Sequence, residues 1–363
     1  MESVWLNGVR HLLEDYCKDI HRINRLPAFE KAVVSFIIDW RSGKDTFVLQ
    51  SSGSTGEPKS INLHRDQMIA SAESTLDYLN ISSGGKALLC LDPRYIAGKM
   101  VIVRSLIGNL ELHAYYPTAN PLSENKIEHS IDLASFVPYQ MVDIIKNLHS
   151  FSKFQKIKNV IIGGAGLSQV LEKKLRLLNN KVYHSFGMTE TVSHIALKQL
   201  SGIDQSQYFK VLSDIEIGID SRGCLTVKGK ITKGETIVTN DLVQIKSNNE
   251  FIWKGRFDHV INSGGIKINI NFLEIKIREI LESMDYHNNF FIDHVPDEKL
   301  GERIVMIYES GYSEIELESL KKILKKQLTK FEMPKKIYIV EKFSFTDSGK
   351  VDRKLIIKHI TEK

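Results

Sequence analysis

Four compact apolar runs constrain this fold more than any other feature: KALLCLD from Lys86, LELHAYY from Leu110, LASFVP from Leu133 and NVIIGGAG from Asn159. Helically patterned stretches such as HRDQMIASAESTLDYLN and SQVLEKKLRLLNN separate them, and this alternation predicts a sheet flanked by helices, an α/β class. From about Gly218 the texture changes to short strands with turn signals, which predicts a β-rich layer. From Asp258 the order is helix, strands, helix, strand, in a segment of about a hundred residues that can form a small separate α+β domain. The expected division is therefore residues 1–257 and 258–363. The opening MESVWLNGVRHLLEDYCKDI reads as an amphipathic helix.

A chain of 363 residues, 42% apolar and 26% charged, has the composition of a folded globular protein. The formal charge of +5 is modest and the basic residues are dispersed, which argues against nucleic acid as a partner. The lysines of SLKKILKKQLTKFEMPKK (Ser319 to Lys336) fit the solvated side of an amphipathic helix. No apolar stretch reaches the roughly 18–20 residues that span a bilayer, and the acidic N-terminus lacks a signal-peptide core. Cys17, Cys90 and Cys224 are far apart and without metal-ligand spacing, so a reducing cytoplasm fits best. A monomer and a homodimer are equally compatible with these features.

Between two β-prone runs lies FVLQSSGSTGEPKSINL. Ser51, Ser52, Gly53, Ser54, Thr55 and Gly56 offer successive N–H groups and hydroxyls that can converge on phosphate oxygens, and Lys59 adds a cation. A plain hairpin turn would need only one or two such residues. At HSFGMTE, Phe186 and Gly187 could lie against a base, while Thr189 and Glu190 are oxygen ligands of the kind magnesium takes; a solvated strand-end turn is the alternative. VTNDLVQI contributes Asp241. WKGRFDHVINSGGIKI contributes Arg256, Asp258, Gly264, Gly265 and Lys267, and FTDSGKVDRKLI contributes Lys350.

In this order and spacing the set resembles the adenylate-forming superfamily, which includes acyl-CoA synthetases, aryl-acid ligases, peptide-synthetase adenylation domains and luciferases. The resemblance runs from about Thr46 to the C-terminus. It implies a large α/β domain with a β-rich layer and a small mobile C-terminal domain, with ATP, Mg2+ and coenzyme A as reactants and cofactor. Ser51 to Lys59 would then be the phosphate loop, Gly163, Gly164 and Ala165 would pack beside adenine, and Phe186 would flank the ring. Asp241 would bind the ribose hydroxyls, Arg256 ribose or phosphate, and Thr189 and Glu190 magnesium. Asp258 corresponds to the hinge, Lys350 to the catalytic lysine of the final motif, and Gly264, Gly265 and Lys267 to the pantetheine tunnel.

Two departures stand out. The ribose motif, usually Thr-Gly-Asp, reads Thr239, Asn240, Asp241, which keeps the carboxylate and is expected to change only the backbone turn. Only some fifty residues precede the phosphate loop, where most members carry a longer subdomain; this implies a compact variant or loss of part of the acid or coenzyme site. The stretch DPRYIAGKMVIVRSL is most similar to the compact o-succinylbenzoate–CoA ligases of menaquinone biosynthesis. Arg94, Tyr95, Lys99 and His184 are the candidates for holding that acid. A ligase for another small aryl or acyl acid, and a non-catalytic nucleotide-binding remnant, are the alternatives.

Overall fold

The structure, a computed structural model, describes residues 1–51, 59–123, 130–167, 169–284, 286, 288–310, 317–344 and 351–362. It is organised on a 13-stranded sheet and a second sheet of five strands, with the hairpin Thr46–Ser51/Lys59–His64 standing apart. The mixed α/β class expected from the alternation is the class found.

In the large sheet the strands Lys181–Gly187, Ile157–Ile162, Ile131–Phe136, Lys86–Leu89 and Glu111–Ala114 lie side by side and parallel. Both faces are covered. Along Lys86–Cys90 the side chains alternate, Ala87 and Leu89 entering one core with helices Ala28–Arg41, Arg65–Leu79 and Ile96–Ile107. Leu88 and Cys90 enter the other, with helices Pro138–Lys146, Leu148–Phe154 and Gln169–Arg176. Two-sided burial explains why these strands read as continuous apolar runs. Beyond Lys181–Gly187 the sheet turns antiparallel through His194–Gln199, Phe209–Val211, Glu250–Arg256, Ile237–Ser247, Cys224–Gly229 and Ile215–Ile219, the anticipated β-rich layer.

The N-terminus corrects the sequence reading. Residues Ser3–Leu6 and Val9–Leu12 form a β-hairpin, and helix begins only at Leu13. Asn7 and Gly8 take φ of 48° and 85°, the left-handed pair of a two-residue hairpin turn for which Asn-Gly is the strongest short signal. Val4 and Leu6 are buried, each worth about 1.5–3 kcal/mol. Ser3–Leu6 adds itself parallel to Glu111–Ala114, so the hairpin extends the sheet and leaves Val9–Leu12 as its exposed edge strand.

One connection, the turn Phe257–His259, joins the large sheet to the second. There Val260–Ser263, Ile266–Asn269, Phe290–Asp297, Gly301–Glu309 and Lys336–Val340 form the sheet. Helices Ile270–Glu282 and Leu317–Gln327 pack on one face and Arg353–Thr361 on the other. In Leu317–Gln327 it is Leu320 and Leu324 that are buried, leaving the lysines on the outer side. No helix among the described residues is long and apolar enough to cross a membrane.

Candidate active site

Strands Ile157–Ile162 and Lys181–Gly187 are parallel neighbours with Ile162 opposite His184, so the residues that follow them leave the sheet at the same edge. That is the carboxyl edge, where open α/β sheets bind ligands. Gly163, Gly164 and Ala165 follow the first strand; Phe186 and Gly187 end the second, with Thr189 and Glu190 in the helical turn beyond. Phe186 packs its ring against Phe209 and Phe251, at centroid distances of 5.6 and 5.1 Å.

The segment after Glu190 is strained. Val192 has φ 65° and ψ −52°, and the Ser193 N–H donates to the Thr191 carbonyl at 2.7 Å, a γ-turn that β-branched residues rarely enter. Such strain costs on the order of 1–3 kcal/mol and persists only where surroundings enforce it. Here the Val192 side chain is fully buried, and the Thr191 hydroxyl accepts the Met188 N–H at 3.2 Å. The turn leaves Glu190 exposed, with no ion pair among the described residues. An uncommitted carboxylate beside the Thr189 hydroxyl is a donor set that fits magnesium, which keeps several waters and takes one or two protein oxygens.

Asp241 and Arg256 face each other across adjacent strands. Asp241 is buried and accepts the Trp253 indole N–H at 2.9 Å, with Arg256 3.8 Å away. Burial pushes its pKa upward, opposed by the indole bond and by Arg256. Arg256 donates through Nε and Nη2 to Asp258, at 2.8 and 2.6 Å. That bond chiefly holds the guanidinium pKa above its ordinary value, against burial, with Asp241 and Glu190 adding to the effect. One arginine thus links Asp241 to Asp258.

Asn240 does more than alter a turn, which corrects the sequence expectation. Its amide nitrogen donates to Asp258 at 3.4 Å and its oxygen accepts from Arg222 at 2.9 Å.

Arg104 was missed by sequence reasoning. It lies on helix Ile96–Ile107, 2% exposed, and a helical side chain leans toward the helix N-terminus, here the carboxyl edge of the sheet. Its Nη2 donates to Ser193 Oγ at 3.0 Å and sits 3.5 Å from His194 Nδ1, while its Nε has no partner. No carboxylate pairs with it among the described residues. Burial pulls its pKa down to about 9 and drives that of His194 well below the usual range. The signal available in sequence was an arginine inside MVIVRSL, an apolar helical run.

Three of the four acid candidates share the segment that opens helix Ile96–Ile107, and the fourth, His184, lies on strand Lys181–Gly187. Arg94 folds back on Asp92 through Nε at 2.9 Å; Tyr95 occupies the N-cap position, without a side-chain capping bond, of the helix that carries Lys99 and Arg104. Lys99 sits 4.7 Å over the Phe36 ring, and burial, helped by Lys44, lowers its pKa. His184 lies against Phe209, and burial together with Lys198 lowers its pKa to about 4, so the ring is neutral at physiological pH. Gly264 and Gly265, with φ of 62° and 84°, make the two-residue turn between Val260–Ser263 and Ile266–Asn269, and Lys267 is exposed on the second strand. Ser51 and Lys59 are the paired last and first residues of their strands; their side chains are not among those described. Ser52, Gly53, Ser54, Thr55, Gly56 and Lys350 lie outside the described residues.

Gly187 packs against the strained segment. A Cβ there would lie 2.2 Å from the Ser193 carbonyl oxygen and 2.4 Å from His194 Cα, both backbone atoms. Gly187→Ala is expected to destabilise the protein by about 1–3 kcal/mol, read as a lower Tm in thermal unfolding. An unchanged Tm would contradict this packing.

The AMP-binding enzyme family model matches residues 32–237, more than half of the chain. A crystal structure of an acyl-CoA synthetase (AMP-forming)/AMP-acid ligase II-like protein from Dyadobacter fermentans is 36% identical, with a TM-score of 0.61, over 93% of this chain and 97% of that one. The 2-succinylbenzoate–CoA ligase of Listeria monocytogenes is 24% identical over 340 residues, covering 86% of this chain and 70% of the ligase. The fold is shared with O-succinylbenzoate coenzyme A synthetase from Bacillus subtilis, solved with ATP and magnesium, at 20% identity and a TM-score of 0.70 over 85% and 68% of the two chains. The family match, joined to a carboxyl edge that gathers Gly163–Ala165, Thr189 and Glu190, establishes that this chain belongs to the AMP-binding enzymes, the adenylate-forming family.

Proposed function

We propose that this AMP-forming acid–thiol ligase activates an aromatic dicarboxylic acid, 2-succinylbenzoate, as its acyl-adenylate and transfers the acyl group to coenzyme A. The observation that carries the choice of acid is Arg104. An isolated buried cation costs several kcal/mol in lost solvation, a cost that an anionic ligand group offsets. A diacid keeps one carboxylate free when the other reacts, and Arg104 sits directly behind Ser193, three residues from Glu190. Similarity to ligases named for 2-succinylbenzoate supports the same reading.

In the first step a carboxylate oxygen attacks the α-phosphorus of ATP, the bond to the β-phosphate oxygen breaks and pyrophosphate leaves. Two anions meet, so the protein's task is charge neutralisation rather than supply of a nucleophile. Thr189 and Glu190 would hold magnesium, which neutralises phosphate charge when bound. The N–H groups of residues 51–56 and Lys59 would bind the departing phosphates, and Asp241 would accept the ribose hydroxyls. Lys350 would bridge substrate carboxylate and α-phosphate. In the second step the coenzyme thiolate attacks the acyl carbon and AMP leaves with its electron pair. We place the domain division at Asp258, with rotation there withdrawing Lys350 and presenting Gly264, Gly265 and Lys267 to the pantetheine arm.

Pyrophosphate release across a panel of aryl and succinyl acids, with ATP, Mg2+ and coenzyme A, tests the proposal. Release confined to 2-succinylbenzoate is expected. Equal response to benzoate or a fatty acid would point to another small-acid ligase, and no response to any acid to a non-catalytic nucleotide binder.

A further inference from the structure

The sole covalent link between the two sheets is the turn Phe257–His259, and side chains from the large domain bracket it. Arg222, on the turn between Ile215–Ile219 and Cys224–Gly229, is oriented by Asp220 through a 2.7 Å bond from Nε. Its Nη1 donates to Asn240 Oδ1 at 2.9 Å, and its Nη2 to the Thr239 carbonyl at 3.0 Å. The same guanidinium lies 5.1 Å over the Phe257 ring. Asn240 in turn donates to Asp258. In the resembled family the residue at this place in the motif is usually glycine, which has no side chain to make either bond.

We infer that Arg222 and Asn240 are positioning residues that clamp the near side of the pivot, fixing Phe257 and the Asp258 side chain to the large domain. This rests on the reading that the lobes turn at Asp258. With the Asp258 side chain held, rotation is confined to bonds beyond its Cα, and the small domain follows one defined path. Without the clamp Phe257 is freed and Asp258 is held by Arg256 alone, about which its carboxylate can swivel, and the small domain samples a wider range of placements. Both half-reactions need groups of that domain placed accurately, and misplacement lowers rate more than binding.

The test uses the full chain in a Cys17→Ser background, with spin labels at Ile203→Cys, fully exposed, and Lys326→Cys, also exposed. Asn240→Gly is expected to broaden the inter-label distance distribution clearly. It should lower kcat for thioester formation about fivefold while leaving the KM for ATP unchanged, a loss of the size expected for one hydrogen bond. Arg222→Gln should do the same, and the double variant should do no more than either, because both act in one chain of contacts. An unchanged distribution would overturn the inference, as would broadening with unaltered turnover. The distances are read without substrate, so a protein inactive toward every acid would refute the proposed reaction while leaving the clamp to be judged on its own.

Discussion

Replacing Lys350 with alanine is expected to abolish acid-dependent ATP–pyrophosphate exchange, a loss of about 10²–10³-fold or more, while thioester formation from supplied acyl-adenylate and coenzyme A stays near wild type. The magnitude is that expected if the proposed role holds and a cation is removed from a transition state in which two anions combine. The asymmetry is what the proposed domain alternation requires: Lys350 would serve the first step and be withdrawn for the second. The described residues that flank it in sequence are firmly held. The Asp352 N–H donates to the Ser344 carbonyl at 2.8 Å, and Arg353 forks onto Glu274 at 2.7 and 3.0 Å. Equal loss of both half-reactions in Lys350→Ala would contradict the two-arrangement account.

The second large effect belongs to Arg104. Arg104→Met is expected to lower kcat/KM for 2-succinylbenzoate by about 30-fold or more, the range found when one partner of a buried charge pair is removed. Stability should be unchanged or higher, because a buried guanidinium with no carboxylate partner destabilises the free protein and methionine fills similar volume. The loss should fall on the diacid, because only it carries a second carboxylate for Arg104 to bind, and a monocarboxylic analogue should respond little to the same substitution. Equal losses for diacid and monoacid, or a lower Tm with unchanged kcat/KM in Arg104→Met, would assign Arg104 a purely structural role.

The fold was legible where burial is two-sided, because continuous apolar runs such as KALLCLD carry the parallel strands without needing context. The N-terminus was not. Apolar residues in SVWLNGVRHLL fit a helical spacing as well as a strand, and the deciding signal, the Asn7-Gly8 turn, is only two residues long. Within the candidate site, short motifs stand out in the sequence because their chemistry is local; Gly163–Ala165, Thr189 and Glu190 come to one sheet edge, while residues 52–56 and Lys350 lie outside the described residues. Arg104 was hidden because its neighbours in sequence are core residues, and what distinguishes it is the missing carboxylate, visible only once His194 and Ser193 are packed around it. Asn240 was seen but underread: its two partners lie 18 residues away in either direction, at Arg222 and Asp258.

The most direct test is to look for the mixed anhydride itself. The protein is mixed with ATP, Mg2+ and 2-succinylbenzoate in the absence of coenzyme A, and the bound small molecules are identified by mass spectrometry before and after coenzyme A is added. The account predicts succinylbenzoyl-adenylate retained on the protein and converted to the thioester on addition of the thiol. Bound ATP with no adenylate of this or any other acid would contradict it.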